Sequence, residues 1–170
     1  MDSILKQLVD ESDELRNYLS AQAQVSLLRS AEDNSRKALV LSAASLFEHR
    51  ITEALLSYAD NAAQSDKCVV SLIRNKAIKR QFHTFFNWAD QKIGPFPTLL
   101  GDEIGTKLKG ICAKSPGKEQ VEAFLEIGDL RNQLVHENYA VFPLAKTADE
   151  IRLLCELADR FVAQVESMLS

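Results

Sequence analysis

The chain of 170 residues has the length of one ordinary domain, because single hydrophobic cores are usual at roughly 100–200 residues. It is 46% hydrophobic and 26% charged, with only 6 glycines and 4 prolines, which is typical of a globular protein with long helices and few turns. The net charge of −4 argues against a uniformly basic nucleic-acid-binding protein. We therefore expect one domain over residues 1–170.

The beginning of the sequence carries none of the marks of an exported or membrane protein. The stretch MDSILKQLVDESDELRNYL is amphipathic and has an acid at residue 2, whereas a signal peptide starts with basic residues and an apolar run. No segment of the sequence approaches the ~20 consecutive apolar residues of a membrane span. We therefore expect a cytoplasmic protein that has no membrane partner.

Positive charge is concentrated in the middle of the sequence. Between residues 74 and 118 there are nine lysines and arginines and three acids, so this basic segment carries +6 and the rest of the chain −10. Phosphate binding depends on the local field, so the basic segment is a candidate for binding nucleic acid. Alternatively, it forms a solvated face whose lysines serve solubility.

The cysteines and histidines form no recognisable ligand pattern. Cys68, Cys112 and Cys155 have no CxxC spacing and are odd in number, which favours reduced, partly buried thiols. The three histidines make neither an HxxxH nor an HExxH pattern. We expect no metal site and no cofactor.

Apolar residues recur at helical spacing along the chain without sustained alternation, which predicts an all-α fold. The first helix is predicted from about Asp2 to Ser30 and the second from about Ala31 to Ala63. Ser65 is then a predicted N-cap for one broken or two short helices. The run GPFPTLLG, with two prolines and two glycines, is a predicted loop.

The second half of the chain has clearer helix boundaries. A short helix is predicted over residues 102–112, followed by AKSPGKEQ, in which Ser115 caps and Pro116 opens a helix that ends near Val135. The sequence TADE, from residue 147, is a capping box that opens the last helix. The prediction is a bundle of four to five main helices with short accessory helices.

The stretch GDLRNQLVHENY carries most of the chemistry in the sequence. On a helical wheel at about 100° per residue, Arg131 falls near the middle of a wide apolar arc. A buried guanidinium requires an acidic partner, a ligand anion or an interface. Gly128 lies near the same arc, where it permits close approach by another helix or a second protomer. Because the arc is wider than one core requires, we expect a homodimer with facing motif helices.

Other polar residues border this arc. Asn132 and His136 are four residues apart and share one flank, so they can edge a common cleft with Arg131. Residues five apart diverge by about 140°, so Arg131 and His136 converge only if the guanidinium curls along the surface or the helix distorts near its end. On the second helix, Glu48 lies at the margin of an apolar face. It is a candidate ion-pair partner of Arg131 or His136, or it simply reaches solvent.

The aromatic run HTFFNWAD lies inside the basic segment. Phe85, Phe86 and Trp88 are candidates for stacking on nucleic-acid bases. Aromatic residues at helical spacing are more often part of a core, and that alternative stays open.

The run RNQLVH, from Arg131 to His136, resembles the Rx4-6H motif of the HEPN superfamily, including the polar residue after the arginine. The run LVLSAASLFEHRITEALLSYA resembles the early HEPN helix with an acidic residue, here Glu48. Chain length and helix order resemble the RiboL-PSP-HEPN branch. The resemblance implies a single HEPN-like helical domain, and a metal-independent endoribonuclease whose composite active site joins two protomers.

The resemblance also implies roles for four residues. His136 acts as general acid or base, and Arg131 stabilises charge on the phosphate. Asn132 orients the histidine or binds the phosphate, and Glu48 supplies the acidic position. The resemblance further implies that RNA cleavage leaves 2′,3′-cyclic phosphate ends. It is also compatible with a toxin or antiviral-defence effector whose partner is an antitoxin or a regulatory protein.

Two other functions remain open at the level of sequence. The first is a non-catalytic HEPN-like dimerising module that binds RNA, a nucleotide or a protein partner. The second is an unrelated helical bundle with an accidental motif. For the single residues, His136 is alternatively a satisfied histidine at a helix end, and Arg131 is alternatively a structural partner of Glu48, which is compatible with a catalytic role.

Overall fold

The computed structural model describes residues 1–64 and 66–170, and among these residues it contains seven α-helices and no β-strand. The all-α prediction is therefore confirmed. Five helices of twelve residues or more form the bundle, and two short ones lie in its connections. The helices are α1 (Ser3–Ala21), α2 (Val25–Ala62), α3 (Lys67–Ile73), α4 (Phe96–Leu99), α5 (Gly101–Cys112), α6 (Gly117–His136) and α7 (Ala148–Leu169).

The core lies where α6 and α7 pack against each other and against α2, and α1 packs against α2 and adds Leu5 and Val9 to the core. Phe124 of α6 is at its centre and is only 2% exposed. Its ring contacts Phe47 of α2 at 6.3 Å and Phe161 of α7 at 5.0 Å between centroids. One aromatic side chain therefore joins the three longest helices.

The predicted boundary between the first two helices was wrong. The first helix ends at Ala21, and α2 begins at Val25, several residues before Ser30. The turn between them places Ala23 at φ +53°, in the left-handed region. Such a turn normally contains glycine, so the sequence carries no signal for it.

The connection after α2 is less helical than predicted. Ser65 lies outside the described residues, and Asp66 caps α3 by accepting hydrogen bonds from two backbone amides of its first turn. Helix α3 continues into a π-helical turn, Arg74–Ile78. Of the one broken or two short helices predicted after Ser65, the later part, around residues 79–93, contains only a short 3-10 turn, Phe82–Thr84, because its aromatic residues pack into the core.

Two local predictions near prolines were also wrong. The predicted loop GPFPTLLG contains α4, whose first turn tolerates Pro97 because the amide that proline lacks would have no helical partner there. Ser115 does not cap α6. The residue before the helix is Pro116, no side chain caps the first turn, and Gly117 packs directly on the backbone of α5.

The start of α7 matches its prediction. The Thr147 hydroxyl accepts from the Glu150 amide, and the Glu150 carboxylate accepts from the Thr147 amide, so the capping box is complete. The backbone hydrogen bond from Thr147 lowers the pKa of Glu150 below its ordinary value. The predicted helices over residues 102–112 and up to the end of the motif are confirmed as α5 and α6.

Two basic residues of α2 hold the connection between α6 and α7. Lys37 is 2% exposed, and its Nζ donates to the Tyr139 carbonyl at 3.0 Å and pairs with Asp33 at 2.7 Å. Its neighbour Arg36 donates to two further carbonyls of the same connection, at 3.1 and 2.6 Å. The chain leaving the motif helix is therefore fixed by charge-assisted hydrogen bonds to α2.

Cys68, Cys112 and Cys155 are all free thiols. Burial raises the pKa of Cys112 to about 11 and is also the main cause that raises the pKa of Cys155 to about 12. In the part of the chain that the structure describes, no three His, Cys, Asp or Glu side chains gather as a metal site would require. None of the described helices combines the length and apolar character of a membrane span.

Phe124→Ala is expected to lower the free energy of unfolding by about 3–5 kcal/mol, since it leaves a cavity among three helices. Urea denaturation measures the change. Leu153→Ala, at an exposed site on α7, is the control and is expected to stay within about 0.5 kcal/mol of the unmodified protein. Equal losses in the two variants would contradict the central position of Phe124.

Candidate active site

One side of α6 borders a cavity of about 500 Å³, within the ~300–1,000 Å³ range that is usual for ligand sites. Its walls come from α2, from α6 and from the chain between α3 and α4. All four predicted site residues line it, namely Glu48, Arg131, Asn132 and His136. The fold therefore brings together residues that are up to 88 positions apart in the sequence.

Arg131 and His136 border the same cavity without any distortion of α6. The helix stays regular to its end, where the Glu137 amide still donates to the Gln133 carbonyl at 2.8 Å, and Glu137 then turns to extended backbone. Arg131 is half-buried and His136 is exposed. The length of the arginine side chain and the width of the cavity thus provide the convergence that a regular helix does not provide by itself.

The predicted ion pair between Glu48 and Arg131 or His136 is absent. Among the described residues, no carboxylate lies within 4.0 Å of the Arg131 guanidinium or the His136 imidazole. Glu48 is on the correct side of the bundle but is exposed, so water solvates its charge. The guanidinium faces the cavity with no negative partner.

Asn132 contacts the arginine of the motif. Arg131 Nη1 donates to Asn132 Oδ1 at 3.1 Å. The side chain of His136 makes no hydrogen bond within the described part of the chain, so the expected contact between Asn132 and the histidine is absent here. Since a guanidinium has five N–H donors, most of them stay free for a ligand.

Gly128 is approached by a side chain of its own chain, and this corrects the expectation of a neighbouring helix or protomer. A Cβ atom built on Gly128 would lie 2.1 Å from Cζ3 of Trp88. The indole Nε1 donates to the His83 carbonyl at 3.1 Å, which fixes the ring. The aromatic segment thus covers much of the apolar arc, and the width of the arc no longer supports a dimer. Only Val135 at its end is strongly exposed.

The aromatic run around Trp88 belongs mainly to the core. Phe85 and Phe86 are buried and pack against Phe96, with ring centroids at 6.0 and 4.8 Å. Of the two alternatives for these phenylalanines, packing in the core is therefore the one that the structure shows, and base stacking is not. Trp88 and Phe82 are partly exposed and line the cavity.

Arg80 and His83 also line the cavity, although neither is among the site residues predicted from the sequence. Arg80 is the only base of the basic segment among the lining residues, and the other eight lie on exposed surface elsewhere in the described chain. The cavity thus holds two arginines against one carboxylate, which gives it a positive charge before either histidine is protonated. The position of Arg80 beside an aromatic run was the available signal.

A second cavity, of about 860 Å³, lies between α1, α2 and the start of α7, and its charges balance. Four arginines and four carboxylates line it. Several of them are paired, including Arg152 with Asp13 at 2.9 Å and Arg36 with Asp33 at 3.0 Å. An anion would have to displace these carboxylates, whereas the Arg131 guanidinium has no carboxylate to displace.

Gly128→Ala is expected to displace Trp88 and to lower the free energy of unfolding by about 1–3 kcal/mol, because the new methyl group overlaps the indole. Trp88 is the single tryptophan, so its fluorescence spectrum reports the displacement directly. Gly110→Ala, with open space around its Cβ position in α5, is the matched control. It is expected to keep the spectrum and to stabilise the protein by about 0.5–1 kcal/mol. An unchanged spectrum in Gly128→Ala would contradict the contact.

Comparison with known protein families places the chain in a family. The model of the RiboL-PSP-HEPN family matches residues 6–170, a span that contains the whole motif helix and Glu48. No curated protein and no solved structure matches the chain.

Because the family model matches, the alternative of an unrelated bundle is wrong. HEPN domains are often ribonucleases, often bind RNA and often work as dimers. Because the family model matches nearly the whole chain, including the motif helix, the chain belongs to the RiboL-PSP-HEPN family of the HEPN superfamily.

Proposed function

We propose that the protein is a metal-independent endoribonuclease that acts as a dimer. The observation that carries the proposal is an arginine without a carboxylate partner, Arg131, which shares one cavity with His136. A half-buried guanidinium without an acidic partner favours an anionic ligand, and a phosphodiester is the anion that a ribonuclease binds.

The proposed reaction needs a proton acceptor and a stabiliser of negative charge. His136 takes the proton of the ribose 2′-hydroxyl, and the 2′-oxygen forms a bond to phosphorus while the bond to the 5′-oxygen breaks. The leaving 5′-oxygen receives a proton from the motif of the second protomer. Arg131 stabilises the charge that develops on the phosphate oxygens. The products are a 2′,3′-cyclic phosphate and a 5′-hydroxyl.

Asn132 and Glu48 have supporting roles in this proposal. Asn132 holds one edge of the Arg131 fork, which limits its rotation before a phosphate binds. Glu48 is the single carboxylate among the lining residues, so it is the acceptor available to a ribose hydroxyl or to the imidazole N–H. Substitution of Asn132 or Glu48 would lower the cleavage rate less than substitution of His136 or Arg131, because neither residue accepts the 2′-hydroxyl proton or stabilises the charge on the phosphate.

Exposed valines near the motif support the dimer. Val135 is 52% exposed and precedes His136, and Val141 in the following connection is 73% exposed. Contact between two copies at this end of α6 would bury both side chains and bring two motifs together.

Removal of the histidine is expected to stop cleavage. His136→Ala should lower the single-turnover cleavage rate of labelled RNA by roughly 10²–10⁴-fold, because the proton acceptor is lost. Arg131→Ala should lower it by roughly 10²–10³-fold through loss of charge stabilisation. His49→Ala, an exposed histidine on α2 outside the cavity, is the matched control and should retain full activity.

The same assay is run in EDTA with analysis of the product ends. Cleavage that persists and leaves 2′,3′-cyclic phosphates supports the proposal. Activity that needs Mg²⁺, or that survives in His136→Ala, would overturn it. RNA binding without cleavage in every variant would favour the non-catalytic module.

Val141→Asp is expected to convert the dimer to monomers and to reduce cleavage, since a carboxylate in the proposed contact is costly to bury. Sedimentation at micromolar concentration measures the mass. Leu72→Asp, an exposed position on α3 that does not line the cavity, is the control and should leave mass and activity unchanged. A monomeric mass for the unmodified protein would sink the dimer proposal.

A further inference from the structure

Arg80 reaches the cavity from a segment that is separate in sequence from both the motif and Glu48. It follows the π-helical turn Arg74–Ile78, whose last residue is buried. On its other side, the segment is held by hydrogen bonds from the Thr84 amide to the Gln81 carbonyl and from the Trp88 indole to the His83 carbonyl. The backbone of Arg80 is therefore anchored on both sides.

The conformation of this segment is costly. Arg80 has φ +63°, in the left-handed region that arginine rarely adopts, and π-helical turns are themselves rare. Both features concentrate at functional sites, where the surrounding structure maintains an unfavourable backbone in order to aim a side chain. Here Arg80, two residues after the turn, is the single base of the basic segment that lines the cavity.

The charge of Arg80 has no internal partner. No carboxylate lies within 4.0 Å of its guanidinium in the part of the chain that the structure describes. Arg131 has no carboxylate partner either and belongs to a different wall of the cavity, on α6. Each guanidinium fork can bind two oxygens of one phosphate group, so two arginines on separate walls of the cavity offer sites for two phosphate groups.

We propose that Arg80 binds a second phosphate of the RNA, next to the phosphate held by Arg131. This inference rests on the proposed function and deepens it, because it specifies the substrate as a single strand with at least two consecutive phosphates. Trp88 and Phe82, which line the cavity with Arg80, provide aromatic surface for the base near these phosphates. A duplex would have to unpair before a base entered a cavity of about 500 Å³.

The test compares ligands that differ by one phosphate and by no base. The deoxythymidine dinucleotide has one phosphodiester, and its 5′-phosphorylated and 3′-phosphorylated forms have one phosphate more. All three lack the 2′-hydroxyl and are therefore not cleaved by 2′-oxygen attack. Binding is followed by the fluorescence of Trp88 or by calorimetry.

In the unmodified protein, one of the two phosphorylated forms is expected to bind roughly tenfold more tightly than the dinucleotide. Arg80→Gln should remove this gain and leave binding of the plain dinucleotide unchanged, and Arg80→Lys should restore part of it. Arg74→Gln is the matched control, since Arg74 is an exposed arginine of the same segment outside the cavity. It should keep the full gain.

A longer strand gives an independent measurement. For an oligodeoxythymidine, the slope of log affinity against log salt concentration should be smaller by about 0.7 in Arg80→Gln, because one phosphate contact is lost. In RNA cleavage the same substitution should raise KM roughly tenfold at unchanged kcat. Circular dichroism checks that this exposed substitution leaves the fold intact.

Three results would overturn the inference. The first is no gain in affinity from either added phosphate, and the second is an undiminished gain in Arg80→Gln. The third is an equal loss of that gain in Arg74→Gln, which would indicate the general electrostatic field of the basic segment and no specific contact. The binding assay needs no catalysis, so the two proposals fail separately. A gain that depends on Arg80 without RNA cleavage would refute the endoribonuclease alone. Cleavage that depends on His136 without the gain would refute the second phosphate site alone.

Discussion

The site depends on the contact between Trp88 and Gly128. Because position 128 lacks a side chain, the Trp88 indole lies directly on α6, so close that a methyl group at position 128 would overlap the ring. The ring covers the apolar side of the motif helix within one chain and, through its hydrogen bond to the His83 carbonyl, fixes the segment that follows Arg80. The same contact therefore completes the core and forms one wall of the cavity.

The distribution of charge separates structural arginines from those at the site. Arg50 of α2 binds Glu166 and Asp159 of α7, and the hydrogen bond to Glu166 is the first cause that raises its pKa above the ordinary value. Lys37 is likewise compensated by a carboxylate and a carbonyl. Arg131 and Arg80 are compensated by no carboxylate of the described chain. Arg131 is half-buried, so its unpaired charge is costly and identifies where an anion belongs, whereas Arg80 is exposed and is solvated by water until an anion enters the cavity.

Elements that are marked by local capping residues or by helical periodicity could be predicted from the sequence, whereas features that depend on contacts between distant residues were missed. The capping box of α7 and the extent of α6 follow from short-range rules, and the motif residues were found from the Rx4-6H pattern and from the place of Arg131 on the apolar arc. The turn at Ala23 was missed because an alanine supplies no turn signal. The predicted ion pair of Glu48 with Arg131 or His136 was wrong because helical periodicity gives the side of the helix on which a residue lies. It does not give the distance from that residue to a side chain on another helix. Arg80 was missed because charge alone does not show which residue of a basic run borders a cavity, and its position beside the aromatic run was not used.

The hydrogen bond between Lys37 and the Tyr139 carbonyl has a consequence for the order of folding. It joins residues 102 positions apart, so it forms only after the chain has closed a long loop, whose entropy must be lost first. The end of the motif helix is held by this contact. A growing chain that has emerged only as far as His136 therefore carries the motif, but the end of the motif helix is fixed to α2 only after the connection that contains Tyr139 has followed it.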